Sequence, residues 1–346
     1  NCDALKLTID INQNILEMKD AQLAPVYELL SVPNDYSIEF ENDYALNLIN
    51  ADIAWNYSTG DASTIIGVSD QNFDISHEDF IGKIDSYDNT ITATNLNHGT
   101  AVALTAAGAT NNGIGKSSIG YDCSLNLVGM SYNKVLELSN QGIRVINMSW
   151  ASNCSYSSYE QQVIDEVYGN GTIVVAAAGN GGTCGGPTSL VYPAAYNHVI
   201  AVSAVGPSDN HERVIGDPTS TFQHNESVDI CAPGYDVALS AGPGWYLTGN
   251  GTSFSSPYVS GTIGLMLSIN PCLTFEDVEA ILIATAANID ELNQAYIGGL
   301  GAGRLDAGAA LEMASTYECT VVNGNSGNGG NGGNGGNGGN GGNGGG

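Results

Sequence analysis

Basic side chains are scarce in this chain. Eight Lys and Arg stand against thirty-six Asp and Glu in 346 residues, a formal charge of −28 at pH 7. A nucleic-acid backbone is bound by clustered cations that displace counterions, so this balance argues against a nucleic-acid partner. It argues equally against docking on anionic lipid headgroups. There is no apolar run of about eighteen residues, so no helical membrane span is expected. None of the seven cysteines sits in a CxxC pair, which speaks against a thiolate zinc site or a dithiol redox motif. No basic, apolar leader opens the chain, so any signal segment is expected to have been removed or left out. What is present points to a folded protein. Hydrophobic residues make up 42% and charged residues only 13%, enough apolar surface for a sizeable core and too little charge for a disordered polyelectrolyte.

The chain divides by composition into three parts. Residues 1–45 are acidic, with one amphipathic helical pattern near Asn14–Leu30, and read as an N-terminal extension or the remainder of a propeptide. Residues 46–318 carry the globular pattern. Residues 319–346 are a linker in which Gly and Asn repeat without Pro, so a collagen-like triple helix is disfavoured and a flexible coil, roughly 25–30 Å end to end, is expected. A linker of this kind leads to the expectation of a further C-terminal module. Scattered cysteines and few lysines suit a secreted or cell-surface protein with two or three disulfides, the alternative being buried thiols.

Between residues 60 and 315 the pattern is α/β. Apolar, β-branched runs recur at Ile65–Ser69, Asn126–Met130, Val145–Ser149, Thr172–Ala177 and Val199–Ala204. Helical periodicity lies between or after them at His98–Gly108, Tyr159–Tyr168, Thr252–Ser268 and Thr274–Ala284. Continuous apolar strands alternating with helices predict a mostly parallel central sheet covered on both faces, a three-layer α/β fold. Chemistry then belongs at the carboxyl ends of the strands.

Several motifs carry nothing. Gly113–Ser118 reads GIGKSS, but the glycine a phosphate loop needs three positions earlier is Thr110. His77–Ile81 lacks the second histidine of a zinc-peptidase helix, and GGLGAG at Gly298–Gly303 follows no clear strand. His198, His211 and His224 have no partners at ligand spacing and read as surface or satisfied core residues.

Four segments stand out together. A buried strand terminates at Asp70. His98 opens a helix of small residues, where the positive end of the dipole disfavours imidazolium and helps keep the ring neutral. Ser253 starts a long apolar helix, and Asn180 follows the buried run Ile173–Ala178 as the strand's last residue. A serine hydroxyl becomes a nucleophile at neutral pH only if a base takes its proton, and a carboxylate holds that base in the right tautomer. An amide at position 180 and the Ser253 backbone N–H could then donate to a developing oxyanion.

These segments read VSDQNFD, HGTAVA, Asn147–Met148–Ser149, Ala177–Ala178–Gly179–Asn180 and GTSFSSP from Gly251. In that order they resemble the motifs of the subtilisin-like serine peptidases (subtilases), over roughly residues 45–315. The resemblance implies the subtilisin-like fold, Asp70, His98 and Ser253 as catalytic triad, and Asn180 in the oxyanion hole. It implies a secreted endopeptidase that needs no cofactor for catalysis and takes a protein or peptide as partner. The family binds substrate as an added strand, which places Ser149, Trp150, Ala151 and Gly179 along the cleft and Val191 near a pocket floor. Ala151 and Val191 stand where many relatives have Gly, which points to a pocket for small or medium apolar side chains. A non-catalytic adhesion or scaffold module is the other reading of such a domain. Structural calcium is common in the family, and Asp79 and Asn112 match some ligand positions, but the loop is altered and holds Lys116. The stretch Met130–Arg144 looks short beside the family pattern, which supplies there a helix and a second substrate-binding strand.

Overall fold

The structure is a computed structural model, and it describes residues 32–36 and 44–319. The amphipathic segment Asn14–Leu30 and the Gly/Asn tract from residue 323 lie outside the described residues. Two short helices, α1 (Tyr44–Leu48) and α2 (Ala51–Tyr57), lead into β1 (Ile65–Asp70) and β2 (Ile84–Tyr87). Then follow α3 (Asn97–Ala107), β3 (Ser124–Gly129), α4 (Tyr132–Asn140), β4 (Val145–Met148), α5 (Ser158–Gly169), β5 (Ile173–Ala177) and β6 (Val199–Val205). The remainder is β7 (Ile230–Pro233), β8 (Val237–Gly242), β9 (Trp245–Gly249), α6 (Thr252–Ile269), α7 (Phe275–Thr285) and α8 (Ala307–Thr316).

Seven strands form one parallel sheet in the order β2-β3-β1-β4-β5-β6-β7, and β8 and β9 form a separate antiparallel hairpin. The apolar runs are continuous because both faces are covered. Val145, Ile173, Val175, Ile200 and Val202 point into the core shared with α3 and α6. Their neighbours Ile146, Met148, Val174, Ala176, Val199 and Ala201 point into the core shared with α4 and α5. Each fully buried Val or Ile contributes about 1.5–3 kcal/mol over leaving it in water. Both faces gain by it, and the few polar side chains inside the inner strands, Ser69, Asn126, Asn147 and Ser203, are buried as well. Helix α6 is buried along most of its length, its Ser and Thr residues included, since it lies between the sheet, α3 and α8. Gly261 lets it approach closely, because a Cβ there would overlap the Ile119 side chain and the Ala106 carbonyl of α3.

This is the three-layer arrangement expected from the pattern, with differences of detail. β5 ends at Ala177, so Asn180 lies on the following loop and is exposed, where the sequence had suggested the strand's last residue. The stretch after Met130 does carry a helix, α4, with no strand between β3 and α4 among the described residues. Both cysteine readings hold in part. Cys154 bonds to Cys184 and Cys272 to Cys319, while Cys123 and Cys231 are buried thiols.

Candidate active site

β1 lies between β3 and β4 near the middle of the sheet, at the point where the connections change direction, so its carboxyl end opens into a crevice. Asp70 ends that strand and is fully buried. Its Oδ1 accepts from the Gln71 N–H at 2.7 Å and meets His98 Nδ1 at 2.7 Å. Its Oδ2 has no hydrogen-bond partner among the described residues.

His98 is the second residue of α3. The next residue explains its placement. A Cβ on Gly99 would run into the Asn72 carbonyl and lie 3.0 Å from the Phe73 ring, so only glycine lets the helix start against the loop after β1. Burial pushes the imidazole pKa down, but the hydrogen bond and charge of Asp70 outweigh it, and the net shift is upward. With Nδ1–H given to the carboxylate, Nε2 is the acceptor of the neutral ring.

Ser253 is the second residue of α6. Pro257 lies four residues on and has no N–H, so the Ser253 carbonyl loses its helical partner. Ser149, just past β4, fills the gap by donating its hydroxyl to that carbonyl at 2.8 Å. The same Oγ accepts from Asn147 Nδ2 at 2.8 Å. In return Ser253 Oγ donates to the Ser149 carbonyl at 3.2 Å. No hydrogen bond joins His98 and Ser253 among the described residues, though the ring of the adjacent Phe254 lies 5.8 Å from the imidazole. The carboxylate and imidazole are thus paired, the residue after the serine lies near the imidazole, and the serine hydroxyl is turned to Ser149.

Asn180 is oriented by α6. Its Oδ1 accepts from the Thr252 N–H at 2.9 Å and from Thr252 Oγ1 at 3.1 Å, which fixes the amide and leaves Nδ2 as an uncommitted donor. Thr252 Oγ1 also accepts from the Gly179 N–H at 3.0 Å. Gly179 sits at φ +117°, and a Cβ there would be 2.9 Å from the Gln223 amide and 3.2 Å from Val191, which lies beneath it. Gln223 escaped the sequence reading. It is fully buried, accepts from the Gly181 N–H at 2.6 Å, and donates to the carbonyls of Thr183 at 2.9 Å and Gly186 at 3.1 Å. No motif marks it, because its role is fixed by a loop that becomes its neighbour only on folding.

Beyond β4 the chain leaves the sheet. The backbone N–H groups of Trp150 and Ala151 have no partner among the described residues. Trp150 is held by its Nε1–H on Ser69 Oγ at 3.2 Å and by edge contact with Tyr132. Together with Met130, Tyr132 and Tyr159, Trp150 and Ala151 line a groove of about 370 Å³. Ser152 then donates its N–H to the Tyr192 carbonyl at 2.8 Å, and the Cys154–Cys184 disulfide ties this wall to the loop after β5.

The calcium expectation meets a different chemistry. Asn112 presents its Nδ2 to Asp79 Oδ1 at 3.2 Å, while its own oxygen accepts from the Ile114 N–H at 3.0 Å. The Lys116 N–H and Ser240 hydroxyl point at the other Asp79 oxygen, at 3.3 and 3.4 Å. A hard cation needs six to eight converging oxygens. This set is a carboxylate ringed by donors, and it does not fit one. Burial raises Asp79 to about 6. The histidines without partners at ligand spacing in the sequence are engaged, while buried His77 accepts the Asp79 N–H at Nδ1 and has no hydrogen-bond partner for Nε2 among the described residues. His198 stacks on Tyr168, and His211 and His224 are hydrogen-bonded to each other at 3.1 Å.

The chain is similar to known proteins. The family model described as the subtilase family matches residues 61–313. Subtilisin DY of Bacillus licheniformis is 32% identical over 262 residues, covering 72% of this chain and 92% of that protein. The halolysin-like extracellular serine protease Nep of Natrialba magadii is 31% identical over 330 residues, 87% of this chain, and the chain spans 57% of Nep's length. A solved protease structure from Pseudoalteromonas arctica aligns with a TM-score of 0.69 at 25% identity, covering 82% of this chain and all of that one. The chain belongs to the subtilase family and is a serine-type peptidase. Its substrate class is therefore peptide, and no helix among the described residues is long and apolar enough to cross a membrane.

Proposed function

We propose that the protein is a secreted endopeptidase that cleaves through an acyl-enzyme on Ser253, with His98 as general base and acid and Asp70 as its orienting carboxylate. The observation that carries this is the 2.7 Å Asp70–His98 pair, with the ring of Phe254, the residue after Ser253, 5.8 Å from the imidazole. For attack, the Ser253 side chain turns from the Ser149 carbonyl to His98 Nε2. Nε2 takes the hydroxyl proton as Oγ bonds to the scissile carbonyl carbon. The resulting oxyanion is met by Asn180 Nδ2 and the Ser253 N–H. Imidazolium, stabilised by Asp70, then protonates the leaving amine as the C–N bond breaks. Water repeats the sequence on the ester, giving its proton to Nε2 and releasing the acid.

The open N–H groups of Trp150 and Ala151 suit a substrate strand laid along residues 149–151. Val191 beneath Gly179 favours a small or medium apolar side chain before the scissile bond. Dominant cleavage after Lys or Arg in a peptide library would refute that preference. Secretion is supported by the two disulfides and by the extracellular relative. The net charge of −28 suits a saline setting, which activity retained in molar salt would support. A fluorophosphonate probe tests the whole reading. Ser253 should be labelled and Ser253→Ala should not, whereas an unlabelled wild-type protein would leave only a scaffold role.

A further inference from the structure

Six of the eight basic residues lie among the described residues, and five are committed. Lys83 donates to the Tyr121 carbonyl and Lys116 to that of Ser117. Lys134 pairs with Asp88 at 3.2 Å and Glu137 at 2.9 Å. Arg144 donates to three carbonyls, and Arg304 pairs with Asp209 at 2.8 Å. Arg213 alone among the described basic residues has an exposed side chain with no hydrogen bond or ion pair. Its backbone is held by the bond from its N–H to the Ser220 carbonyl at 3.1 Å. The carboxylates nearest in sequence are engaged elsewhere. Glu212 accepts from Gly216 and Tyr296, and Asp217 accepts from both the N–H and the hydroxyl of Thr219.

Arg213 lines an open cavity of about 650 Å³ together with Asn180, Pro187, Thr221, Phe222 and Asn250. The cavity shares Asn180 with the oxyanion site, and Asn250 leads directly into the turn before Ser253. It shares no residue with the Trp150 groove. A chain that lies along residues 149–151 and passes the nucleophile therefore runs into this cavity with the part it will lose as leaving group.

We propose that Arg213 is a specificity-determining residue that selects a carboxylate on the leaving-group side of the scissile bond. The inference rests on the peptidase reading above. In a chain of charge −28 the surrounding field repels acidic peptides. An unpaired guanidinium beside the reacting centre reverses that locally, and its planar fork suits a carboxylate. Two sources share this chemistry: an Asp or Glu side chain two or three residues past the cleaved bond, or a free C-terminus at that distance.

The test uses quenched fluorescent peptides with one fixed acyl sequence. Glu, Gln or Lys is placed two or three residues past the scissile bond, and a further pair ends there as free acid or amide. An anilide of the same acyl sequence has nothing beyond the bond, and every peptide rate is divided by the anilide rate of the same variant. The wild type should favour Glu over Lys by roughly two- to fivefold in kcat/KM, the range of an exposed ion pair. The preference should shrink as salt rises. Arg213→Ala should erase it and Arg213→Glu invert it. A preference for the free acid over the amide assigns the terminal source, and a preference for internal Glu the side-chain source. Equal charge ranking in wild type and Arg213→Ala, with the anilide turned over normally, overturns this inference alone. An anilide left intact by the wild type overturns the peptidase reading itself.

Discussion

Asn180 pins Thr252 in this structure and has the oxyanion role proposed above, and two substitutions separate the two. Its Oδ1 holds the Thr252 N–H, one of the unpaired donors at the start of α6, and its Nδ2 is free for an oxyanion. Asn180→Asp keeps an oxygen for Thr252 and replaces the donor by an acceptor. Asn180→Ala removes both. Loss of one oxyanion donor costs on the order of 10²–10³ in kcat, the magnitude known for such a donor in a subtilisin, or about 2.7–4 kcal/mol in the barrier. Both variants should lose that much with KM little changed, because the donor acts on charge that appears only in the transition state. Only the alanine variant leaves the buried Thr252 amide without its acceptor, at roughly 1–3 kcal/mol. In a domain of this size each kcal/mol lowers Tm by about 2–4 °C. The assay is steady-state hydrolysis of the anilide, with thermal unfolding followed on inhibitor-treated protein so that autolysis does not intrude. An Asn180→Asp enzyme within about fivefold of wild-type kcat would refute the oxyanion role. Equal Tm for the two variants would refute the pinning role.

Other outcomes follow from the same contacts. The raised His98 pKa places the ascending limb of kcat/KM above the ordinary 6.5 of imidazole, since only the neutral ring accepts a proton. Asp70→Asn leaves burial as the dominant influence, so the limb should move to lower pH while the rate falls on the order of 10⁴; a limb that stays put would break the link. Ser149→Ala strips the Ser253 carbonyl of its donor and should cost roughly 1–3 kcal/mol of stability, read as Cm in urea at unchanged slope. Replacing Cys154 and Cys184 by Ser opens a 30-residue loop and should cost about 3–4 kcal/mol on the loop-entropy account, with KM rising more than kcat falls; unchanged KM would mean that the wall is held without the bond.

The sheet was legible because its strands are buried on both faces. Runs such as Ile173–Ala177 leave no choice but a covered parallel strand, and the helix His98–Gly108 differs by one residue at each end from what formed. β2, β7 and the β8–β9 hairpin were not. Ile84–Tyr87 is half-exposed at the sheet edge and lacks the pattern of an inner strand, while Val237–Gly242 is buried throughout but is short on β-branched residues and pairs with Trp245–Gly249 across a turn. The reactive residues stood out because each ends a strand or opens a helix. What the sequence could not show was their second partners. Asn180 lay beyond its strand rather than on it. The Asp79 loop reads as a set of oxygen donors until Asn112 is seen to turn its amide nitrogen inward.

The cleft is held in place by single side chains that bridge loops. Asp70 ends β1, while Ser149 and Asn180 lie past the ends of the adjacent strands β4 and β5, where the sheet no longer fixes them. Thr252 supplies the missing registration. One hydroxyl receives the Gly179 N–H and donates to Asn180, so the proposed pocket wall, the proposed oxyanion donor and the helix that carries Ser253 share one anchor. Ser149 does the same between β4 and α6, where Pro257 has vacated a carbonyl for it. Gln223 closes the loop beyond Asn180 with three bonds from one amide. Each anchor is a neutral group, fully or almost fully buried, with its bonds satisfied. A site built this way meets a developing oxyanion without first reorganising. It also predicts that damage to Thr252 should reach all three parts at once. Thr252→Val, close in shape but without the hydroxyl, should lower kcat and weaken inhibitor binding together. If it raised KM alone, the three parts would have to be held separately.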